Sequence, residues 1–254
     1  DMAAFREGLF AKRGLRHPYR RLLPLALDAV KRHGIAVEAA TGDLLRAATL
    51  WEARRSRGIE QVAADVHGRL QHGGIAAVFL KGASLAWHSY SVPWLRHCHD
   101  LDLLVPAEAL EEAQATLLRA GALPAPVAAR HGVSRTLQWP GGLPVMLHGA
   151  LFGSGNDGAR ESLARHRAIP HTVAGARLLL LHPADCAEQI AAQLAAGCTR
   201  DGIGWIPDLL VLHRTHAHAA MAGGGDHLAA ALRFAYLAVG GLEMAPSVAK
   251  AAPS

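Results

Sequence analysis

Val78-Phe79-Leu80-Lys81-Gly82-Ala83-Ser84 and, a short passage later, Arg96-His97-Cys98-His99-Asp100-Leu101-Asp102-Leu103-Leu104-Val105 are the stretches that decide the fold. Each contains an apolar run of strand length, and the second run carries two carboxylates. Side chains at i and i+2 of a strand share one face, about 7 Å apart, so Asp100 and Asp102 are expected to project together while Leu101 and Leu103 enter the core. Paired acids in such a place repel and lose hydration unless a cation joins them. Hard divalent cations take oxygen ligands and neutralise phosphate charge, so the pattern points to metal-dependent chemistry on a nucleoside triphosphate.

The flanking sequence supplies the frame. Ile75 to Leu80, opened by Gly73-Gly74, reads as a buried strand. Lys81 to Ser84 reads as a turn into a short helix that ends near Tyr90 and is broken by Pro93. His99 to Val105 is a second strand, closed by Pro106, and Ala107 to Ala120 is a helix stopped by Gly121. Ser134 to Trp139 and Leu143 to Leu147 form a hairpin around Pro140-Gly141-Gly142, and Ile169 to Val173 adds an edge strand. Upstream, Tyr19 to His72 is helical with Gly34 and Thr41-Gly42 as punctuation; downstream, Pro183 to Leu194, Trp205 to Ala217 and His227 to Val239 are helical, and Ala245 to Ser254 is a frayed tail. The expected fold class is α/β, a small mixed sheet with flanking helical regions, divided as 1–72, a catalytic core 73–175, and 176–254.

Composition narrows the functional classes. With 254 residues, 51% hydrophobic and 19% charged, the chain is a folded globular protein and not a disordered one. The net charge of +5 is partly local, in Arg6, Lys12, Arg13, Arg16, Arg20 and Arg21, which suits a solvated helix face or a surface for an anionic partner. Aromatic residues, at 5%, are few for base stacking and no nucleic-acid-binding motif is present, so a nucleic-acid module is not favoured. The three cysteines, Cys98, Cys186 and Cys198, form no C-x-x-C pair and are odd in number, which fits a reducing cytoplasm. Neither an apolar run of membrane-spanning length nor a leader-like N-terminus is read.

Strand, glycine turn, short helix and a second strand with Asp-x-Asp resemble the nucleotidyltransferase fold shared by polymerase-beta-like enzymes. The chain is more closely similar to a group of uncharacterised bacterial nucleotidyltransferases, on Leu80-Lys81-Gly82, Tyr90, Arg96, Asp100, Asp102, Leu104 and Val105. Leu147-His148 and Trp205 with Asp208 extend the match over most of the chain. The resemblance implies transfer of a nucleoside monophosphate from NTP, with ATP as the expected co-substrate, to a hydroxyl-type acceptor that is a small molecule, a peptide or a protein. It also implies Mg2+ or Mn2+ held by Asp100 and Asp102, with Lys81, Gly82, Ser84 and Arg96 on the nucleotide.

Each residue also has a plainer reading. Lys81 would be surface charge, Gly82 a tight turn, Ser84 a helix N-cap, and Arg96 the partner of an aspartate. His97-Cys98-His99 invites zinc, but adjacent residues of one strand split between two faces and do not converge. Asp185 and Asp208 fall in the first turns of helices near Pro183 and Pro207, where the helix dipole alone favours an acid. One departure from the related group stands out: its later strand carries an acid two residues before the His, and here that position is Met146. The loss implies a base relocated to His148 or Asp208, weaker metal binding, or a degenerate member that binds nucleotide or a partner without turnover. Attack at the γ-phosphorus, a kinase-like outcome, would use the same cradle.

Overall fold

The computed structural model describes residues 20–125, 134–151, 158–195, 202–216, 228–232 and 235. In chain order the helices are α1 (Leu23–His33), α2 (Ala39–His72), α3 (Lys81–His88), α4 (Leu110–Arg119), α5 (Gly158–His166), α6 (Pro183–Ala195) and α7 (Gly202–Thr215). The strands are β1 (Val78–Phe79), β2 (Leu101–Leu104), β3 (Leu123–Pro124), β4 (Ser134–Gln138), β5 (Pro144–His148), β6 (Ile169–Val173) and β7 (Ala176–Leu180). They form one mixed sheet in the order β3-β4-β5-β2-β1-β7-β6 among the described residues. The expected α/β class, with helices flanking a mixed sheet, is the observed one.

Strand alternation sorts the interior into two layers. Leu101 and Leu103 of β2, Val145 and Leu147 of β5, and Leu178 and Leu180 of β7 face a core closed by α2 and α4. The opposite face carries Val78, Leu80 and Leu104, covered by apolar residues of α3, α6 and α7. β2 is therefore buried on both faces, and Asp102 interrupts its second face. β1 runs antiparallel to β2 and parallel to β7, while β5 runs parallel to β2 with Met146 in register with Asp102. That register sets Met146 and His148 of β5 beside Asp102 and Leu104 of β2.

Several expectations are corrected. Thr41-Gly42 does not interrupt a helix, since α2 runs unbroken from Ala39 to His72, and its buried stripe from Leu45 to Leu70 explains why. The edge strand Ile169–Val173 is present and pairs with β7, an interior strand that the sequence reading left unassigned. Ala174 and Gly175 turn that hairpin with φ of 47° and 82°, the left-handed pair that a two-residue turn needs. A core boundary after residue 175 would cut this hairpin, because the sheet continues to Leu180. α7 starts at Gly202, so Pro207 lies inside the helix and not in its first turn. The basic cluster from Arg6 to Arg16, Cys198, and most of the helix expected from His227 to Val239 lie outside the described residues.

Candidate active site

The junction of β1 and α3 sets the site. Leu80 donates its backbone N–H to the Asp102 carbonyl at 2.9 Å, the last rung of the antiparallel pair, and the chain then turns into α3. Lys81 makes that turn with φ of 47°, a left-handed conformation that strains a residue bearing a Cβ by about 1–3 kcal/mol. The strain coincides with an ion pair: Lys81 Nζ lies 2.6 Å from Asp102 Oδ1. Gly82 was expected to supply the turn, yet the left-handed residue is its neighbour. A Cβ at Gly82 would stand 2.5 Å from Arg96 Nη1 and 3.3 Å from Cys98 Sγ, so glycine is required there to let the guanidinium approach.

Asp102 is 3% exposed and has a second partner on the same oxygen, His148 Nε2 at 2.7 Å. The other ring nitrogen of His148, Nδ1, lies 3.1 Å from Ser134 Oγ on β4. Burial alone would push the Asp102 carboxyl up, but Lys81 and His148 reverse this and hold it at about 2. Asp100 sits at the bend before β2 with its Oδ2 3.4 Å from His99 Nε2; burial first, and the Asp102 charge second, push its carboxyl up to about 6. One acid of the pair is thus neutralised by the protein and the other is short of positive charge.

A second buried carboxylate lies across the pocket on α7. Asp208, 1% exposed, accepts from Arg96 Nη2 at 2.9 Å and Nε at 3.3 Å, and from the Tyr90 hydroxyl at 2.7 Å. Burial and then the Asp208 charge push the Tyr90 phenol well up, so its hydroxyl stays a donor. Burial opposes the Arg96 charge, but Asp208 outweighs it and holds the guanidinium protonated. Arg96 also donates to the His97 carbonyl, while His97 Nδ1 stands 3.1 Å from Glu52 Oε2 of α2, which braces the segment leading into β2.

These residues surround a pocket of about 510 Å³ whose charged wall holds Lys81, Gly82, Arg96, Asp100, Asp102 and Asp208. Its other wall comes from the start of α1, from α6 and from α7. The site residues read from the sequence are therefore gathered with two exceptions. Ser84 is fully buried, with its hydroxyl donating to the Leu181 carbonyl at 3.2 Å, and it does not line the pocket; Leu80, not Ser84, precedes α3 as its N-cap. His148 reaches Asp102 from the side and is not part of the pocket wall. Met146 stands beside Asp102 in the β2/β5 register, half-buried, also outside the wall. Asp185 pairs with Arg167, and among the described residues no group of three or more His, Cys, Asp or Glu converges as a metal centre, including at His97-Cys98-His99.

Sequence reasoning did not find the Ser134–His148 contact or the contribution of α1. The register of the hairpin is the signal that pairs Ser134 with His148.

Among solved structures, that of the antibiotic-resistance factor ANT(2'')-Ia is similar, with a TM-score of 0.50 at 13% identity over 72% of this chain and 96% of that one. A nucleotidyltransferase-like protein from Paracoccidioides brasiliensis aligns with a TM-score of 0.49 at 18% identity, over 76% of this chain and 90% of that one. No curated protein matches the chain. At such identities the likeness to the first speaks to the fold alone. The family described as "Uncharacterised nucleotidyltransferase" matches residues 18–248, nearly the whole chain, and the protein belongs to that family.

Proposed function

We propose that the chain moves a nucleoside monophosphate from a nucleoside triphosphate, ATP for preference, to a hydroxyl-bearing acceptor, using Mg2+ or Mn2+ held at Asp100 and Asp102. Family membership supports nucleotidyl transfer in general. The observation that carries the reading is the meeting of Lys81, Arg96, Asp100 and Asp102, from two separate segments, on the wall of one pocket.

The donor set fits such a cation. Two carboxylates offer hard oxygens, and magnesium is commonly held by one or two carboxylates with waters and substrate phosphates completing its shell. Lys81 and His148 both bind Oδ1 of Asp102, which leaves Oδ2 as the oxygen for a cation. Burial first and the Asp102 charge second raise the Asp100 carboxyl, and a divalent ion at the pair would offset both. When bound, the cation would supply charge neutralisation and polarisation at the phosphate.

The chain's own groups do the rest. Arg96, fixed by Asp208 and Tyr90, and Lys81 at its strained turn present positive charge to the triphosphate without reorganising. Gly82 keeps that wall open. His148, with both ring nitrogens engaged by Asp102 and Ser134, acts as a positioning residue that orients Asp102. Asp208 likewise serves Arg96 and not a substrate proton, because its two oxygens accept three bonds.

Catalysis on this reading is positioning and electrostatics, so Asp100→Asn or Asp102→Asn should lower turnover by about a hundredfold or more. The test is ATP calorimetry with magnesium and with excess chelator, joined to product analysis. Cation-dependent binding and release of pyrophosphate support the proposal; equal affinity in both conditions counts against it, and release of ADP would shift the assignment to attack at the γ-phosphorus. Met146 beside Asp102 favours a second reading, a slow or non-catalytic nucleotide binder. Met146→Glu, which restores an oxygen ligand at that register, should then raise magnesium affinity or rate.

A further inference from the structure

The lining of the pocket includes a basic group to which nucleotidyl transfer has so far given no task. Arg21, one of the basic residues that crowd the N-terminal part of the chain, stands just before α1 and lines the pocket together with His97 and His99. It is half-buried, with its Nε buried, so its guanidinium is held in place by packing. Its charge reaches His97: burial lowers that imidazole first, Glu52 opposes the change, and the charges of Arg55 and then Arg21 lower it further.

Arg21 stands apart from the anchored guanidinium of the triphosphate cradle. Adjacent residues of an extended segment point to opposite sides, and here Arg96 turns to Asp208 of α7 while His97 turns to Glu52 of α2. Arg21, beside His97, is therefore on the α2 side of the pocket. From His97 the lining leads to the paired acids. The His97 and His99 rings stack with centroids 6.1 Å apart, and His99 Nε2 is 3.4 Å from Asp100 Oδ2. His97 and Asp100 are three residues apart, at most about 11 Å of chain. One small molecule can span that interval, one end at Arg21 and the other at the cation site.

The acids of the pocket are all committed. Among the described lining residues they are Asp100, Asp102 and Asp208. Arg96 and Tyr90 saturate Asp208, Lys81 and His148 hold one oxygen of Asp102, and what is left of the Asp100 and Asp102 pair belongs to the cation. The remaining lining is largely apolar, at Leu22, Leu25 and Trp205, or a neutral amide, at Gln193. Among the described residues its fixed charge is that of Arg21. An incoming ammonium group would meet this guanidinium and no spare carboxylate, whereas a carboxylate or phosphate would meet a fork of donors matched to its own geometry.

We propose that the acceptor is an anionic hydroxy compound, with a carboxylate or phosphate group held by Arg21 beside His97 and its hydroxyl directed to the cation at Asp100 and Asp102. The hydroxyl oxygen forms the new bond to the α-phosphorus, the bond to pyrophosphate breaks, and the hydroxyl proton passes to solvent. The proposal rests on the nucleotidyl-transfer reading above and adds to it the charge class of the acceptor.

The test uses four compounds with a hydroxyl at one end of the same six-carbon chain: hydroxyhexanoate, hydroxyhexyl phosphate, hexanediol and aminohexanol. Their binding is measured by calorimetry on the chain loaded with magnesium and the α,β-methylene analogue of ATP, which resists attack at the α-phosphorus. The wild-type chain should bind the two anions most tightly and aminohexanol least. Arg21→Gln should lower affinity for the anions about tenfold, as for loss of one charge-assisted hydrogen bond, and for hexanediol much less; Arg21→Lys, which keeps the charge, should retain most of the preference. A tighter carboxylate or a tighter phosphate says which anion the acceptor carries. If the wild-type chain binds hexanediol or aminohexanol as well as the anions, or binds none of the four, the proposal is overturned while nucleotide binding stands. It is also overturned if Arg21→Gln weakens the ATP analogue as much as the anions, since Arg21 then serves the triphosphate. If the wild-type chain fails to bind the ATP analogue at all, the nucleotidyl-transfer reading itself fails and takes this one with it.

Discussion

Asp102 and Asp208 are both buried aspartates paired with a cation and a second donor, yet the two pairs are built for different ends. On α7, Arg96 and Tyr90 spread their bonds over both oxygens of Asp208, which saturates the carboxylate. On β2, Lys81 and His148 crowd onto one oxygen of Asp102, and burial first and the Asp102 charge second push the carboxyl of a second acid, Asp100, up to about 6. The first arrangement is closed and fixes a guanidinium. The second is open on one side and short of positive charge. A buried charge that is fully satisfied holds shape; one left partly unsatisfied beside a pocket is a candidate to hold a ligand.

The contrast breaks first on stability. Asp208→Ala leaves the Arg96 charge buried without its carboxylate, and removing one partner of such a pair typically destabilises by about 3–5 kcal/mol. Denaturant unfolding of the variant checks this, and a loss near zero would mean the α7 pair is not structural.

Asp100→Asn should do the reverse, and only in one pH range. The folded-state carboxyl at about 6 lies above its ordinary value, so the folded chain binds this proton more tightly than the unfolded chain does. Its effect on stability is absent below about pH 4, and the penalty grows as pH rises toward 6 and is full above it. The variant should therefore be more stable than the wild type by about 3 kcal/mol above pH 6, and equal to it near pH 4, without divalent cation. Saturating magnesium should shrink the gap. Unfolding midpoints across pH, with and without magnesium, measure it directly.

The smallest effect sharpens the comparison further. Tyr90→Phe removes a single neutral donor from Asp208 and leaves both Arg96 bonds, so the expected loss is about 1 kcal/mol with little change in triphosphate affinity. A large loss of triphosphate affinity in this variant would instead place Tyr90 on the nucleotide.

Much of the charged wall was legible in the sequence because it is local. Lys81 and Asp102 flank an antiparallel pair of short strands, so their apolar runs alone bring them together, and the alternation of β2 fixes which face Asp102 takes. Met146 was singled out as the position of a missing acid, and the β2/β5 register sets it beside Asp102. What the sequence concealed depends on chain segments that meet only in the folded molecule. Ser84 has the residue type of an N-cap, but the helix begins three residues earlier and buries it against Leu181. Gly82 has the residue type of a turn, while the strained φ belongs to Lys81 and the glycine answers to Arg96. β7 was hidden because its consecutive leucines, 178–181, show no period in residue type, although Leu178 and Leu180 are buried while Arg177 is exposed and Leu179 half-buried. The part of the wall from α1 and α6 has no local signature, and on α7 only the match at Trp205 and Asp208 pointed to it.

The central claim is that the open aspartate, and not the closed one, is the cation site. The most direct measurement compares ATP affinity in magnesium and in excess chelator for Asp102→Asn and Asp208→Asn, at temperatures where both variants are folded. The account predicts that Asp102→Asn abolishes the difference between the two conditions, while Asp208→Asn lowers affinity in both and keeps the difference. A cation effect that survives in Asp102→Asn and disappears in Asp208→Asn would contradict it.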